Sequence, residues 1–216
     1  MPRKKYYYCE ACQDFSQDPD ACEHEREFLF SEKMRRNLSK FLSYIFRHNP
    51  NQIGIELDSQ GFSIITIEKL IEILRVVRNS PWINRKILEA LLLLDSKGRF
   101  EIRNDRIRAR YGHSLKNITI ETVESDLPEI LYHGTNQSAY QQIKSEGLKP
   151  MGRNLVHLTS SLKDAQIVGR RHKGELIILK VDVKAAVQAG IQIWQAGNTI
   201  YVSNYIPSKY LKPEES

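Results

Sequence analysis

The stretch Arg99-Phe100-Glu101-Ile102-Arg103-Asn104-Asp105-Arg106-Ile107-Arg108-Ala109-Arg110 decides how the fold is read. Two short runs alternate arginine with apolar or small residues, and Asn104-Asp105 between them is a dipeptide suited to a tight turn. The pattern predicts a β-hairpin. Upstream of it the periodicity changes from two to between three and four. Asn84 can cap a helix with Ile87, Ala90, Leu91 and Leu94 inward, and Thr66 can cap another carrying Ile67, Leu70, Ile71 and Leu74. Between Gly54 and Asp58 the residues alternate as a short strand, and Gly61 marks a turn. From Ser31 a third helical pattern places Met34, Leu38, Leu42, Ile45 and Phe46 on one stripe, with Arg35, Arg36 and Lys40 off it. Pro50 stops this helix, so Arg47 and His48 fall at its C-terminal end. Helices followed by a hairpin predict a winged-helix module.

Downstream, Ile118 and Ile120 suggest a strand, and Glu124-Ser125-Asp126-Leu127-Pro128 reads as a polar linker. Strands and short helices then alternate. Strands are predicted over 129–132, 155–159, 176–183, 191–194 and 199–203, and helices over 137–146, from Ser161, and ending near Gly190. Ser161 and Asp164 form a variant capping box. The whole is α+β, divided at 1–30, 31–123 and 124–216.

Residues 1–30 stand apart. Tyr6-Tyr7-Tyr8 precedes Cys9-x-x-Cys12, and an acidic loop leads to Cys22-Glu23-His24. Cys9, Cys12, Cys22 and His24 form a Cys₃His candidate for tetrahedral zinc, although the second pair is tightly spaced. The alternative is a frayed tail with incidental cysteines. A segment with so little apolar mass needs a clip to fold, which favours zinc.

Composition bounds the rest. The 216 residues are 41 % hydrophobic and 27 % charged, an ordinary globular balance. No apolar run approaches the ~20 residues of a membrane span, and the charged N-terminus shows no secretory signal. Three cysteines, all within the first 22 residues, make a poor disulfide framework and fit a cytoplasmic chain with a local metal site. The net charge of +6 permits a polyanionic partner.

Six histidines fall in compact polar or glycine-containing strings, most beside arginine. Arg47, Arg108, Arg153, Arg170 and Arg171 each lie near one of them. A guanidinium offers a planar fork to phosphate oxygens, and histidine donates at a fixed geometry. Singly, each is an ordinary surface charge or a structural histidine; together they suggest an anion site. Other phosphate motifs fail: no Gly-x-Gly-x-x-Gly occurs, and Gly169-x-x-x-x-Gly174 is followed by Glu175, which is no P-loop.

Several strings then carry a resemblance. They are Leu38-Ser39-Lys40-Phe41-Leu42-Ser43-Tyr44-Ile45-Phe46-Arg47-His48-Asn49-Pro50, Ile107-Arg108-Ala109-Arg110-Tyr111-Gly112-His113-Ser114 and Leu131-Tyr132-His133-Gly134-Thr135. Arg153-Asn154-Leu155-Val156-His157-Leu158-Thr159-Ser160 and Val168-Gly169-Arg170-Arg171-His172 follow. In this order the chain from about residue 34 to 212 resembles the NAD-dependent RNA 2′-phosphotransferases of the tRNA-splicing type. Tyr111, Thr159 and Lys173 depart from that family's usual residues. The Cys/His extension resembles one found in archaeal members.

The resemblance implies a zinc-binding extension over 1–30, a winged-helix RNA-binding lobe over 31–123 and an NAD-binding lobe of ADP-ribosyltransferase type over 124–216. It implies that an internal 2′-phosphate attacks the nicotinamide ribose of NAD⁺ and expels nicotinamide. A hydroxyl of the ADP-ribosyl group then takes the phosphate. The products are 2′-OH RNA and ADP-ribose 1″,2″-cyclic phosphate. Arg47, His48, Arg108 and Arg153 correspond to the catalytic set, and His133, Gly134, Thr135, His157, Ser160 and Arg170 to NAD contacts. His113 and Ser114 are further candidates. NAD⁺ is a co-substrate, zinc is structural, and the partner is 2′-phosphorylated RNA such as tRNA. Two other classes remain open on the residues alone: an ADP-ribosyltransferase acting on nucleic-acid ends or protein, and a non-catalytic winged-helix regulator.

Overall fold

A computed structural model describes residues 4–119 and 126–214. The expected boundary at 123/124, and Ile120, Glu124 and Ser125, lie outside the described residues. The architecture is mixed α and β, and the chain divides into two compact units. The first takes the chain up to Asp58, with Phe62–Asp95 and Phe100–Ala109; the second takes Ser59–Gly61, Ser96–Arg99 and the chain from Arg110 onward.

The first unit begins with strands β1 (Lys5–Cys9), β2 (Asp14–Ser16) and β3 (Glu27–Ser31), an antiparallel sheet in the order β2-β1-β3. No strand was predicted here. The segment is no frayed tail: Tyr6, Leu29 and Phe30 are buried in the same apolar cluster as the helices. Ser31 ends β3 and caps α1 (Glu32–Arg47), its Oγ accepting the Met34 N–H. The Tyr6 hydroxyl donates to Glu32 at 2.8 Å, and Glu32 receives the Arg35 guanidinium at 2.9 Å. That pair holds the Glu32 carboxyl below its ordinary pKa, against the cost of partial burial.

Helix α1 buries Leu38, Leu42, Ile45 and Phe46 as its periodicity predicts. Each such side chain contributes about 1.5–3 kcal/mol by leaving water. Pro50 opens a single 3-10 turn, ended by Gly54 in the left-handed region at φ +68°. The strand predicted over 54–58 reduces to one bridge, Leu57 to Ser63, because the preceding turn leaves too little extended backbone to pair. Helices α2 (Ile67–Val77) and α3 (Arg85–Leu93) start at Thr66 and Asn84, whose side chains accept the Lys69 and Ile87 amides. Strands β4 (Phe100–Arg103) and β5 (Arg106–Ala109) form the hairpin. Asn104 and Asp105 both take positive φ, 51° and 58°, the geometry of a two-residue turn that matches strand twist.

The second unit is a six-stranded antiparallel sheet in the order β11-β8-β6-β7-β10-β9. Its strands are β6 (Ile130–Asn136), β7 (Val156–Thr159), β8 (Leu176–Asp182), β9 (Ile193–Gln195), β10 (Ile200–Ser203) and β11 (Leu211–Pro213). Helices α4 (Gln137–Glu146), α5 (Leu162–Gly169) and α6 (Val183–Gln188) start at Asn136, Ser161 and Asp182, each accepting an amide three residues on. Ile118 is buried but not in a strand, since its N–H turns back onto the Leu115 carbonyl. Strand β6 extends four residues beyond its predicted end and pairs along its full length with β8, whereas it meets β7 through the single pair Tyr132–Thr159.

Candidate functional site

In the second unit the candidate residues gather on β6, β7 and α5. His133, Gly134 and Thr135 lie inside β6, opposite Leu179, Ile178 and Ile177 of β8. Side chains alternate along a strand, so His133 and Thr135 share one face and Gly134 belongs to the other. Gly134 meets α5: a Cβ there would overlap the Ala165 carbonyl oxygen and lie 2.8 Å from the Gly169 amide nitrogen. The glycine therefore permits a close strand–helix approach. That constraint adds to the NAD contact that the resemblance implies for Gly134.

The ring of His133 is fixed. Its Nδ1 lies 3.0 Å from the His157 carbonyl, which can only accept, so Nδ1 carries the proton and Nε2 is left as an acceptor. His157 places its own Nδ1 2.9 Å from the Leu155 carbonyl, by the same logic. Burial pulls the His133 pKa below its ordinary value of 6.5; the bond to His157 opposes this, and the charges of His172 and Arg153 reinforce it. Partial desolvation likewise pulls the Arg153 guanidinium below its ordinary value, Tyr111 opposing and Arg171 adding to the effect. His133 thus lies within electrostatic reach of His172 and Arg153, and Arg153 of Arg171, an arrangement suited to an anion.

Arg153 is positioned through its neighbour. The Asn154 N–H donates to the His113 carbonyl at 3.0 Å and its side-chain amide to the Leu115 carbonyl at 2.9 Å. His113 is itself buried, its ring 3.3 Å from where a Cβ on Gly61 would lie. Ser160 and Arg170 are exposed, one just past β7 and the other capping α5.

In the first unit Arg47 occupies the last turn of α1, whose carbonyl end favours a cation, and His48 caps it, donating its N–H to the Tyr44 carbonyl. Helix α1 packs on β5, which carries Arg108. Arg108 is 6 % exposed; its Nε and Nη2 lie 2.8 and 2.6 Å from Glu101 Oε2, and its guanidinium stacks 4.5 Å from the Phe62 ring centre. Sequence reasoning missed Glu101 and Phe62. Glu101 was within reach, since an Asn104-Asp105 two-residue turn sets the register that places 101 opposite 108.

Cys9, Cys12, Cys22 and His24 come together with all four ligand atoms within 4.8 Å of one another. Cys9 and Cys22 sulfurs are 3.6 Å apart, and Cys12 Sγ is 3.5 Å from His24 Nδ1. Zinc–sulfur bonds of ~2.3 Å in a tetrahedron give edges of about 3.8 Å, so the set fits zinc. The Cys12 N–H donates to Cys9 Sγ. Hydrogen bonding with Cys9 pushes the Cys12 thiol up to about 11, and the His24 backbone draws Cys22 down to about 6. Arg26, also missed, has a side chain only 3 % exposed, 3.6 Å from Asp14. On α3, Lys86 bonds Glu10 at 3.0 Å and Glu27 at 2.9 Å, and lies over the Tyr8 ring. The metal-ligand segment is thereby tied to the helices.

No helix among the described residues is long and apolar enough to cross a membrane. A family model described as RNA 2′-phosphotransferase, Tpt1 / KptA family, matches residues 33–205, and the chain belongs to that family. The chain is 35 % identical over 205 residues to a protein described as probable RNA 2′-phosphotransferase 2 of Archaeoglobus fulgidus, covering 94 % of this chain and 91 % of the relative. It is 36 % identical over 212 residues to a probable RNA 2′-phosphotransferase of Hyperthermus butylicus, covering 94 % and 90 %. A third, from Pyrococcus horikoshii, is 37 % identical over 174 residues, covering 81 % and 96 %.

Proposed function

We propose that this chain removes an internal 2′-phosphate from RNA, of the spliced-tRNA type, by transferring it to NAD⁺, with nicotinamide and ADP-ribose 1″,2″-cyclic phosphate as products. The observation that carries the reading is the family match, whose span contains every Arg/His string of both units. NAD⁺ is a consumed co-substrate that supplies the electrophilic ribose carbon. The phosphate is already a dianionic nucleophile and needs no base, so the chain's contribution is positioning and charge stabilisation.

Arg47, Arg108 and Arg153 bind the phosphate oxygens, and Glu101 holds the Arg108 fork in place. His48 donates a hydrogen bond to phosphate or supplies the proton of the second step. His133 presents Nε2 as a fixed acceptor to a ribose hydroxyl, while Thr135, His157 and Ser160 complete the NAD⁺ contacts. Gly134 keeps α5 close, and Arg170 meets the pyrophosphate charge. On this reading the first unit is the winged-helix RNA-binding lobe and the second is of ADP-ribosyltransferase type. Cys9, Cys12, Cys22 and His24 hold a structural zinc remote in sequence from the reacting groups, and the enzyme works in the cytoplasm.

The test is incubation of a 2′-phosphorylated oligoribonucleotide with and without NAD⁺. Phosphate leaves the RNA only with NAD⁺ and appears in the cyclic product; release as orthophosphate, or without NAD⁺, overturns the proposal. Arg47→Ala and Arg153→Ala each lower turnover about 100-fold, the cost of one lost charged contact to a developing oxyanion.

A further inference from the structure

The outer face of α1 is of one sign. From Lys33 to Ile55 the chain carries no acidic residue. Lys33, Arg36, Lys40 and Tyr44 are exposed, and at 3.6 residues per turn they share, with Arg47, a sector about 100° wide opposite the buried stripe. Among the described residues no carboxylate forms an ion pair with Lys33, Arg36 or Lys40, whereas Arg35, on the flank, is paired with Glu32. An ordinary solvated helix face mixes both signs; here an acidic residue appears only at position 32, before the stripe begins. The stripe rises about 16 Å from Lys33 to Tyr44 and runs on to Arg47 and His48. Tyr44 is 44 % exposed, an aromatic ring open to solvent beside the candidate catalytic end.

We propose that the exposed face of α1 is a track for the RNA strand flanking the 2′-phosphate: Lys33, Arg36 and Lys40 bind successive backbone phosphates, and Tyr44 stacks on a base next to the reacting nucleotide. A row of cations with an interleaved aromatic ring is the chemistry of single-stranded nucleic acid, whose backbone is charged at every step and whose bases all present a stacking face. This inference rests on the reading of the function given above. It adds residues that touch neither the 2′-phosphate nor NAD⁺, and it assigns α1 the choice of long RNA over short.

The experiment compares the wild type with the triple variant Lys33→Ala/Arg36→Ala/Lys40→Ala and with Tyr44→Ala. Binding of a 12-nucleotide single-stranded RNA without 2′-phosphate is followed by fluorescence anisotropy over a range of salt. The triple variant binds at least tenfold more weakly at 0.1 M salt, and its log Kd–log salt slope is smaller by about two, as expected for three lost phosphate contacts. Tyr44→Ala weakens binding about tenfold with the wild-type salt slope, because stacking releases no counterions. With NAD⁺, the triple variant keeps the wild-type kcat and KM on a 2′-phosphorylated dinucleotide, and its KM rises on a 12-mer phosphorylated at its centre; Tyr44, whose ring centre lies 6.1 Å from that of His48, is read by the binding arm alone. Lys33, Arg36 and Lys40 are exposed, so the thermal melt of the triple variant matches the wild type. Unchanged binding and salt slope in the triple variant overturn the track. Equal losses on dinucleotide and 12-mer also overturn it, by placing the stripe at the reaction centre. If the wild type removes no 2′-phosphate from any RNA, the functional reading fails, and the binding arm still decides the track.

Discussion

Gly134→Ala tests how the candidate NAD⁺ face is built. The new Cβ would overlap the Ala165 carbonyl oxygen and lie 2.8 Å from Gly169 N and 2.9 Å from Ala165 C. Comfortable carbon contacts begin near 3.5 Å, so α5 must retreat by more than half an ångström even from the two longer approaches. All three obstacles are backbone atoms of a packed helix and cannot rotate aside. Overpacking costs about 1–3 kcal/mol, and a backbone clash belongs at the upper end. At ~2–4 °C per kcal/mol for a chain of this size, Tm falls by roughly 6–12 °C. Gly169→Ala is the control. Its Cβ meets chiefly Leu176 Cδ1, the end of a side chain that can turn, and then Gly134 C at 3.2 Å. Alanine also favours the helix by up to ~1 kcal/mol, so that variant stays within about 1 kcal/mol of wild type. Calorimetric melts give both numbers, and titration calorimetry with NAD⁺ shows weakened binding in Gly134→Ala. A Gly134→Ala protein melting within 2 °C of wild type, or one more stable than Gly169→Ala, would refute the close-packing argument.

Three further outcomes follow from the same geometry. Glu101→Gln removes the charge that holds the buried Arg108 guanidinium, so kcat falls about tenfold while NAD⁺ affinity, measured separately, stays unchanged; an unaltered kcat releases Glu101 from its role. Because burial holds His133 below 6.5, the unfolded chain takes up a proton there that the folded chain resists, and stability falls as pH drops through 6.5. In His133→Asn the decline of Tm between pH 6.5 and 5 is shallower, and an identical slope removes His133 as its source. Elemental analysis finds about one zinc per chain, and chelation lowers the melting of the whole first unit, since β1 and β3 contribute Tyr6, Leu29 and Phe30 to its core; near-zero zinc sinks the site.

What could be read beforehand was local. Thr66 and Asn84 announce their helices by capping chemistry, and the buried stripes Leu38–Leu42–Ile45–Phe46 and Ile67–Leu70–Ile71–Leu74 follow from period alone. Asn104-Asp105 fixes the hairpin because only a tight turn accommodates two successive positive φ values. The rest depends on partners distant in the chain. Tyr6-Tyr7-Tyr8 becomes a strand because Phe28 and Phe30 lie opposite, 21 or more residues later, and no window of sequence shows that pairing. The prolongation of β6 through His133-Gly134-Thr135 is set by β8, whose partners lie more than 40 residues on. The Arg/His strings identify candidate side chains, but the choice of tautomer at His133 needs the His157 carbonyl, which only the folded sheet supplies.

The unequal edges of β6 have a consequence for how this sheet responds to stress. On one side seven residue pairs knit the strand to β8; on the other a single pair joins it to β7. The β6–β7 boundary is a seam, and amide exchange should be slow on the β8 side and fast along that seam. The strand that carries His133 is anchored along its length by β8, and on the other side β7 meets it through the His133 ring, whose Nδ1 donates to the His157 carbonyl.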